Sequence, residues 1–133
     1  MRKVYLDSCT AIYLVEEHPA YCAAIENALA QLDGVVCYSP LTELECLVLP
    51  LRLKRKDLLD KFNRFFSLNL KLDMPDTVYR EAARLRAKFG IKTPDALHLA
   101  TARHHDCTEL WTNDDRLASV ADGMVVNVIG TSL

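Results

Sequence analysis

Lys92-Thr93-Pro94-Asp95-Ala96-Leu97-His98-Leu99-Ala100-Thr101-Ala102 reads as a helix that offers water almost nothing beyond its first turn. Thr93 fits an N-cap and Pro94 a first helical residue, which puts Asp95 in the opening turn. The residues after it are too apolar on every side for a surface helix, so the segment is expected in the core. Pro75-Asp76 opens a second helix with the same pair, but Arg80, Glu81, Arg84, Arg86 and Lys88 give that helix a wet outer face. Asp76 therefore reads as a solvated partner of the helix dipole. Asp95 keeps apolar company, and a poorly solvated acid is a candidate for a functional site.

Working outward, the helix over 75–89 stops at Gly90. The core helix is followed by a strand at Glu109–Thr112, a short helix near Arg116–Ala121 and a strand at Met124–Ile129. Toward the amino terminus, Lys3–Leu6 reads as a strand ending at Asp7, with a helix from Ser8 and another from about Pro19 to Leu32. A buried strand at Val35–Tyr38 leads to helices at Leu41 to about Arg55 and Asp57–Phe66, then a near-edge strand at Leu68–Leu72. Strands alternating with helices indicate an α/β domain with a mainly parallel sheet. No linker or repeat interrupts it, so one domain is expected over 1–133.

Fifty per cent hydrophobic and 26% charged residues give the composition of an ordinary soluble globule. The amino-terminal apolar run is too short for a signal peptide and no stretch approaches a membrane span, so a cytoplasmic protein without membrane contact is expected. Five cysteines without a C-x-x-C pair indicate neither a disulfide framework nor a zinc knuckle. The four histidines make no zinc-binding spacing. His98, one turn after Asp95, reads as a packed core histidine or a brace for that acid. Residues 52–92 hold twelve Lys/Arg against five acids, while the rest of the chain holds four against thirteen. A basic middle third beside acidic flanks suits a polyanion-binding surface next to a carboxylate-rich site, and equally the wet faces of helices.

In an open parallel sheet the functional crevice lies beyond the carboxyl ends of the strands. Asp7 follows the first strand and Asp114 the fourth. On the helix after the second strand, Leu41, Leu44, Val48 and Leu51 make an apolar stripe with Glu45 at its edge, while Glu43 points away. Asp7, Glu45, Asp95 and Asp114 brought to one sheet end would raise one another's pKa values unless a cation neutralised them. An all-oxygen cluster favours Mg²⁺ or Mn²⁺ over zinc.

Leu6-Asp7-Ser8, Ser39-x-x-Thr42-x-x-Glu45, Pro94-Asp95-Ala96-Leu97-His98-Leu99-Ala100 and Thr112-Asn113-Asp114 resemble, in order, the four acidic motifs of PIN-domain ribonucleases. The small size is similar to the VapC toxins of toxin–antitoxin pairs. The resemblance implies a three-layer α/β/α sandwich with a five-stranded, mainly parallel sheet in the order 3-2-1-4-5. It also implies a homodimer, Mg²⁺- or Mn²⁺-dependent cleavage of single-stranded RNA, and a VapB-like antitoxin whose tail blocks the groove. Asp7 and Asp95 would be the principal metal ligands, with Glu45 and Asp114 binding directly or through water. Ser8 and Thr112 would orient them, and Asp115 competes with Asp114 for the fourth place. Two other classes compete: an inactive PIN-like RNA-binding or scaffold protein, and an Asp-dependent phosphatase. Against the second, the position two after Asp7 is Cys9 rather than an acid.

Overall fold

The computed structural model describes residues 2–121 and 123–130; positions 1, 122 and 131–133 of the expected domain lie outside the described residues. The chain runs β1 (Arg2–Leu6), α1 (Ser8–Val15), α2 (Cys22–Ala30), β2 (Gly34–Tyr38), α3 (Pro40–Arg52), α4 (Lys56–Leu68), β3 (Leu70–Lys71), α5 (Asp76–Phe89), α6 (Thr93–His104), β4 (Glu109–Trp111), α7 (Asp115–Ala118) and β5 (Val125–Val126). The five strands form one parallel sheet in the order β3-β2-β1-β4-β5, the arrangement the resemblance implies.

Successive strand residues face opposite sides, and β1 at the centre is buried on both. Tyr5 faces a core built with Cys37 and Leu110 from the sheet, Val78, Ala82 and Leu85 from α5, and Ala96 and Leu99 from α6. Val4 and Leu6 face the other layer, where Ile25 of α2 packs with Trp111. Ala11 of α1, Cys46 of α3 and Leu58, Phe62 and Phe66 of α4 fill a third cluster against Tyr38. Only glycine fits at position 34, because a Cβ there would lie 2.1 Å from the Arg2 carbonyl oxygen. No described helix is long and apolar enough to cross a membrane.

Several boundaries differ from the expectations. Helix α4 runs on to Leu68, where the Asn69 amide donates to the Phe65 carbonyl (2.8 Å), so only Leu70–Lys71 remain as strand. Strand β5 stops at Val126 because Asn127 turns the chain, its side chain accepting from Gly130 N–H at 2.8 Å. A turn at His18–Tyr21 delays α2 to Cys22. Helix α3 ends at Arg52 before Lys54, which has φ +53°. Helix α7 starts at Asp115 because the Asp114 side chain caps it by accepting from Arg116 N–H. In α6, Lys92 rather than Thr93 occupies the cap, since Ala96 N–H donates to the Lys92 carbonyl and closes the first turn there.

The largest correction concerns α3. Its inward face is Thr42, Cys46 and Pro50, whereas Leu44, Val48 and Leu51 of the expected core stripe are 61%, 45% and 59% exposed. Glu45 is half-buried next to this inward face, so its choice over Glu43 does not rest on the stripe that suggested it. Glu43 instead reaches Lys71 of β3 at 3.1 Å.

Candidate active site

Asp7 leaves the end of β1 as the N-cap of α1. Its Oδ1 accepts from Thr10 N–H at 2.9 Å, while its own N–H donates to the Trp111 carbonyl at 3.2 Å, tying the ends of β1 and β4 together. The residue is buried, and the cap leaves its second oxygen uncommitted.

Glu45 projects from α3 and is held from two sides. Ser8 Oγ donates to Oε1 at 2.8 Å, and His98 Nε2 lies 2.7 Å from the same oxygen. Burial works to raise the Glu45 pKa, but the His98 hydrogen bond and charge and the Ser8 hydrogen bond prevail and hold it below the usual carboxylate value. His98 is buried, and its Nδ1 lies 2.5 Å from the Tyr5 hydroxyl, which is 2.7 Å from Ser39 Oγ. A carboxylate only accepts, so Nε2 donates to Glu45, and Nδ1 pairs with the Tyr5 hydroxyl. His98 therefore braces Glu45 and not Asp95. Ser39 and Thr42 form a capping box that starts α3 and sets the angle at which Glu45 leaves it.

Asp95 lies in the first turn of α6 and accepts no hydrogen bond among the described residues. Burial first, then the charges of Asp114 and Asp7, raise its pKa. Asp114 is set by Thr112 Oγ1, which accepts from Asp114 N–H at 3.1 Å. Its two carboxylate oxygens receive Arg116 Nε and Nη2, each at 3.2 Å, and this pairing lowers its pKa. Asp115 is exposed and accepts from Asn127 at 2.9 Å, so Asp114 is the acid that acts on Asp95.

Cys9 registers the convergence of the four. It is exposed in the first turn of α1, and its thiol is pushed up to about 11 by partial desolvation and then by the charges of Asp7, Glu45, Asp95 and Asp114. Four acids from distant parts of the chain thus bear on Cys9, and two of them, Asp95 and Asp114, line a common cleft. Among the described residues, no three His, Cys, Asp or Glu side chains are placed so that they could hold one metal ion as they stand. The donor chemistry nevertheless suits a hard divalent cation: all four are carboxylates, the Asp95 pKa is already raised by its acidic neighbours, and the caps on Asp7 and Glu45 use one oxygen of each.

Of the residues that hold these acids, the sequence reading named Ser8 and Thr112 and weighed His98 as a brace for Asp95, whereas His98 reaches Glu45. It missed Tyr5 and Arg116, which carry no local signal because each acts on a residue that the fold brings to it. Ser39 was quoted as part of a motif without its capping role, although Ser-x-x-Thr before an apolar run is close to a capping-box pattern.

A parallel α/β/α sandwich with acids gathered beyond the ends of its central strands is the architecture of a carboxylate-centred site built on a doubly wound sheet. The chain belongs to the PIN domain family, whose model matches residues 4–123. No curated protein matches it by sequence. Among solved structures, it is similar to a toxin–antitoxin complex from Klebsiella pneumoniae (TM-score 0.77, 21% identity, covering 94% of this chain and 97% of that one). It is similar to VapBC2 from Rickettsia felis bound to a promoter DNA fragment (TM-score 0.80, 19% identity, 94% and 98% covered). It also resembles Mycobacterium tuberculosis VapC20, described as a sarcin-ricin loop cleaving toxin (TM-score 0.71, 15% identity, 87% and 94% covered). At these identities the likeness establishes the fold.

Proposed function

We propose that this single PIN domain is a divalent-metal-dependent endoribonuclease that cleaves single-stranded RNA in the cytoplasm as the toxin of a VapBC-type module. The observation that carries the reading is that Asp95 and Asp114 line one cleft, with Asp95 left without an internal donor among the described residues and its pKa raised by burial and then by the charges of Asp114 and Asp7. Membership of the PIN domain family and the toxin–antitoxin titles of its structural neighbours support it.

Asp7 and Asp95 are the principal candidates to hold Mg²⁺ or Mn²⁺. Glu45 joins through the oxygen that His98 and Ser8 leave free, and Asp114, already paired with Arg116, joins directly or through water. A bound ion of this kind supplies a low-pKa water and offsets charge on the attacked phosphate. Ser8 fixes Glu45, and Thr112 fixes the backbone at Asp114. A VapB-like antitoxin is the expected partner. The exposed Leu44, Val48 and Leu51 on α3 are the surface that a homodimer would cover.

The test is cleavage of fluorescent single-stranded RNA in Mn²⁺ by the wild type and by Asp95→Asn, with circular dichroism to establish that the variant is folded. Loss of cleavage by the folded variant is expected, and turnover at the wild-type rate refutes the assignment. The competing reading is a PIN-like RNA-binding scaffold whose carboxylates hold a structural ion. The same assay decides it, since RNA bound without turnover by the wild type in Mn²⁺ is its signature.

A further inference from the structure

Three clefts follow one another from the acids along the face formed by α5 and α6. The first, about 300 Å³, is lined by Asp95 and Asp114 together with Lys92, Arg116, Phe89 and Ile91. The second, about 420 Å³, shares Phe89 and Val120 with the first and adds Arg84, Lys88 and Arg103. The third, about 310 Å³, shares Arg84 and Arg103 with the second and adds Thr77 and His104.

This run presents five cations, Lys92, Arg116, Lys88, Arg84 and Arg103, against three carboxylates, Glu81, Asp95 and Asp114, the last of them paired with Arg116. Glu81 lies 3.2 Å from Arg84 and 3.9 Å from Arg103, so it holds the two arginines side by side without cancelling both charges. Phe89 belongs to the first two clefts, is 42% exposed and has Lys88 Nζ 5.2 Å from its ring centroid. It closes α5 just before Gly90, whose φ of +69° turns the chain away. An aromatic ring among cations is what a single strand requires: positive charge along the backbone and a surface on which a base can stack.

Across the molecule, a groove between α1, α2 and α4 also contains Lys61 and Arg64, but Glu17 and Glu26 line it too, and Glu17 lies 3.7 Å from Lys61. Its charges balance. Basic residues in the middle third are thus not equivalent: Lys61 and Arg64 share their groove with two acids, whereas Arg84, Lys88 and Lys92 line clefts that lead to Asp95.

We propose that this run of clefts is the track of the RNA strand on one side of the scissile phosphate. Lys92 and Arg116 take the backbone next to the acids, one unpaired base stacks on Phe89, and Arg84, Lys88 and Arg103 hold the phosphates beyond it. The assignment rests on the endoribonuclease reading and adds to it the direction in which substrate leaves the site.

The experiment measures fluorescence anisotropy of a labelled single-stranded oligoribonucleotide across a salt series, with Asp95→Asn as the parent so that the strand survives. Adding Arg84→Ala with Arg103→Ala weakens binding and reduces the slope of log K against log salt by about 1.4, since each phosphate contact on a single strand contributes about 0.7. Phe89→Ala weakens binding about tenfold with the slope unchanged, and Phe89→Trp restores it. Lys61→Ala with Arg64→Ala leaves affinity and slope at the parent's values. The track is overturned if the Arg84/Arg103 pair binds as the parent does, if the Lys61/Arg64 pair loses as much, or if the folded parent binds no RNA. Failure of the nuclease reading appears separately, as wild-type cleavage by Asp95→Asn.

Discussion

Replacing His98 by leucine tests whether the ring holds the active site together or only fills space. His98 is almost wholly buried and joins two elements through its two nitrogens, Tyr5 of β1 at 2.5 Å and Glu45 of α3 at 2.7 Å. The substitution removes one hydrogen bond to a charged acceptor, worth about 1.5–3 kcal/mol, and one to the Tyr5 hydroxyl, worth about 1 kcal/mol. Two circumstances reduce the total. The Tyr5 hydroxyl keeps Ser39 at 2.7 Å, so no buried group is orphaned, and Glu45 is exposed enough to regain water. A net destabilisation of about 2 kcal/mol at neutral pH is expected, read from urea unfolding. Because the lowered Glu45 pKa makes its contribution present above the unfolded carboxyl pKa and lost as pH falls through the folded one, the deficit shrinks in acid. Cleavage falls as well, since Glu45 loses one of the two donors that fix it. His98→Gln, with an amide N–H able to reach Glu45, recovers part of both. Unfolding at the wild-type midpoint, or a deficit unchanged between neutral pH and acid, refutes the account.

Asp95 behaves in the opposite sense. Its raised pKa makes the folded protein bind the proton more readily than the unfolded chain, so the penalty is fully present above the folded pKa and is relieved as pH falls through it. Thermal melts of the metal-free protein should show Asp95→Asn gaining on the wild type as pH rises, by a few tenths of a kcal/mol because the carboxylate is partly exposed. A constant offset across the series rejects this. On α3, Leu44→Asp with Leu51→Asp should convert a dimer into a folded monomer in sedimentation velocity. A wild type that sediments as a monomer at the same concentration removes the dimer reading.

The sequence carried the order of elements well, because strand ends and helix starts are local features. It failed where a side chain's partner lies far along the chain. Tyr5, Glu45 and His98 are separated by forty and fifty-three positions and meet only when β1, α3 and α6 pack. It failed differently at Leu44, Val48 and Leu51. Their helical spacing was read as a core stripe, yet Thr42, Cys46 and Pro50 are the residues buried. Apolar periodicity marks a face that avoids water, without saying whether the same chain or another covers it. The strand at Leu68–Leu72 went wrong for a related reason, since Leu68 alternates with Leu70 and Leu72 in sequence but ends a helix.

The four acids differ in how the fold already compensates them, and this orders their dependence on a cation. Asp7 caps α1, Glu45 receives Ser8 and His98, and Asp114 is paired with Arg116 through both oxygens. Asp95 has only its place in the first turn of α6, and its acidic neighbours push its pKa upward. A cation entering the crevice therefore gains most from Asp95, and it meets competition from Arg116 at Asp114. If a phosphate draws Arg116 away from Asp114, Asp114 is released as the strand arrives. The residue that lines the proposed RNA track would then be the one that makes the fourth acid available.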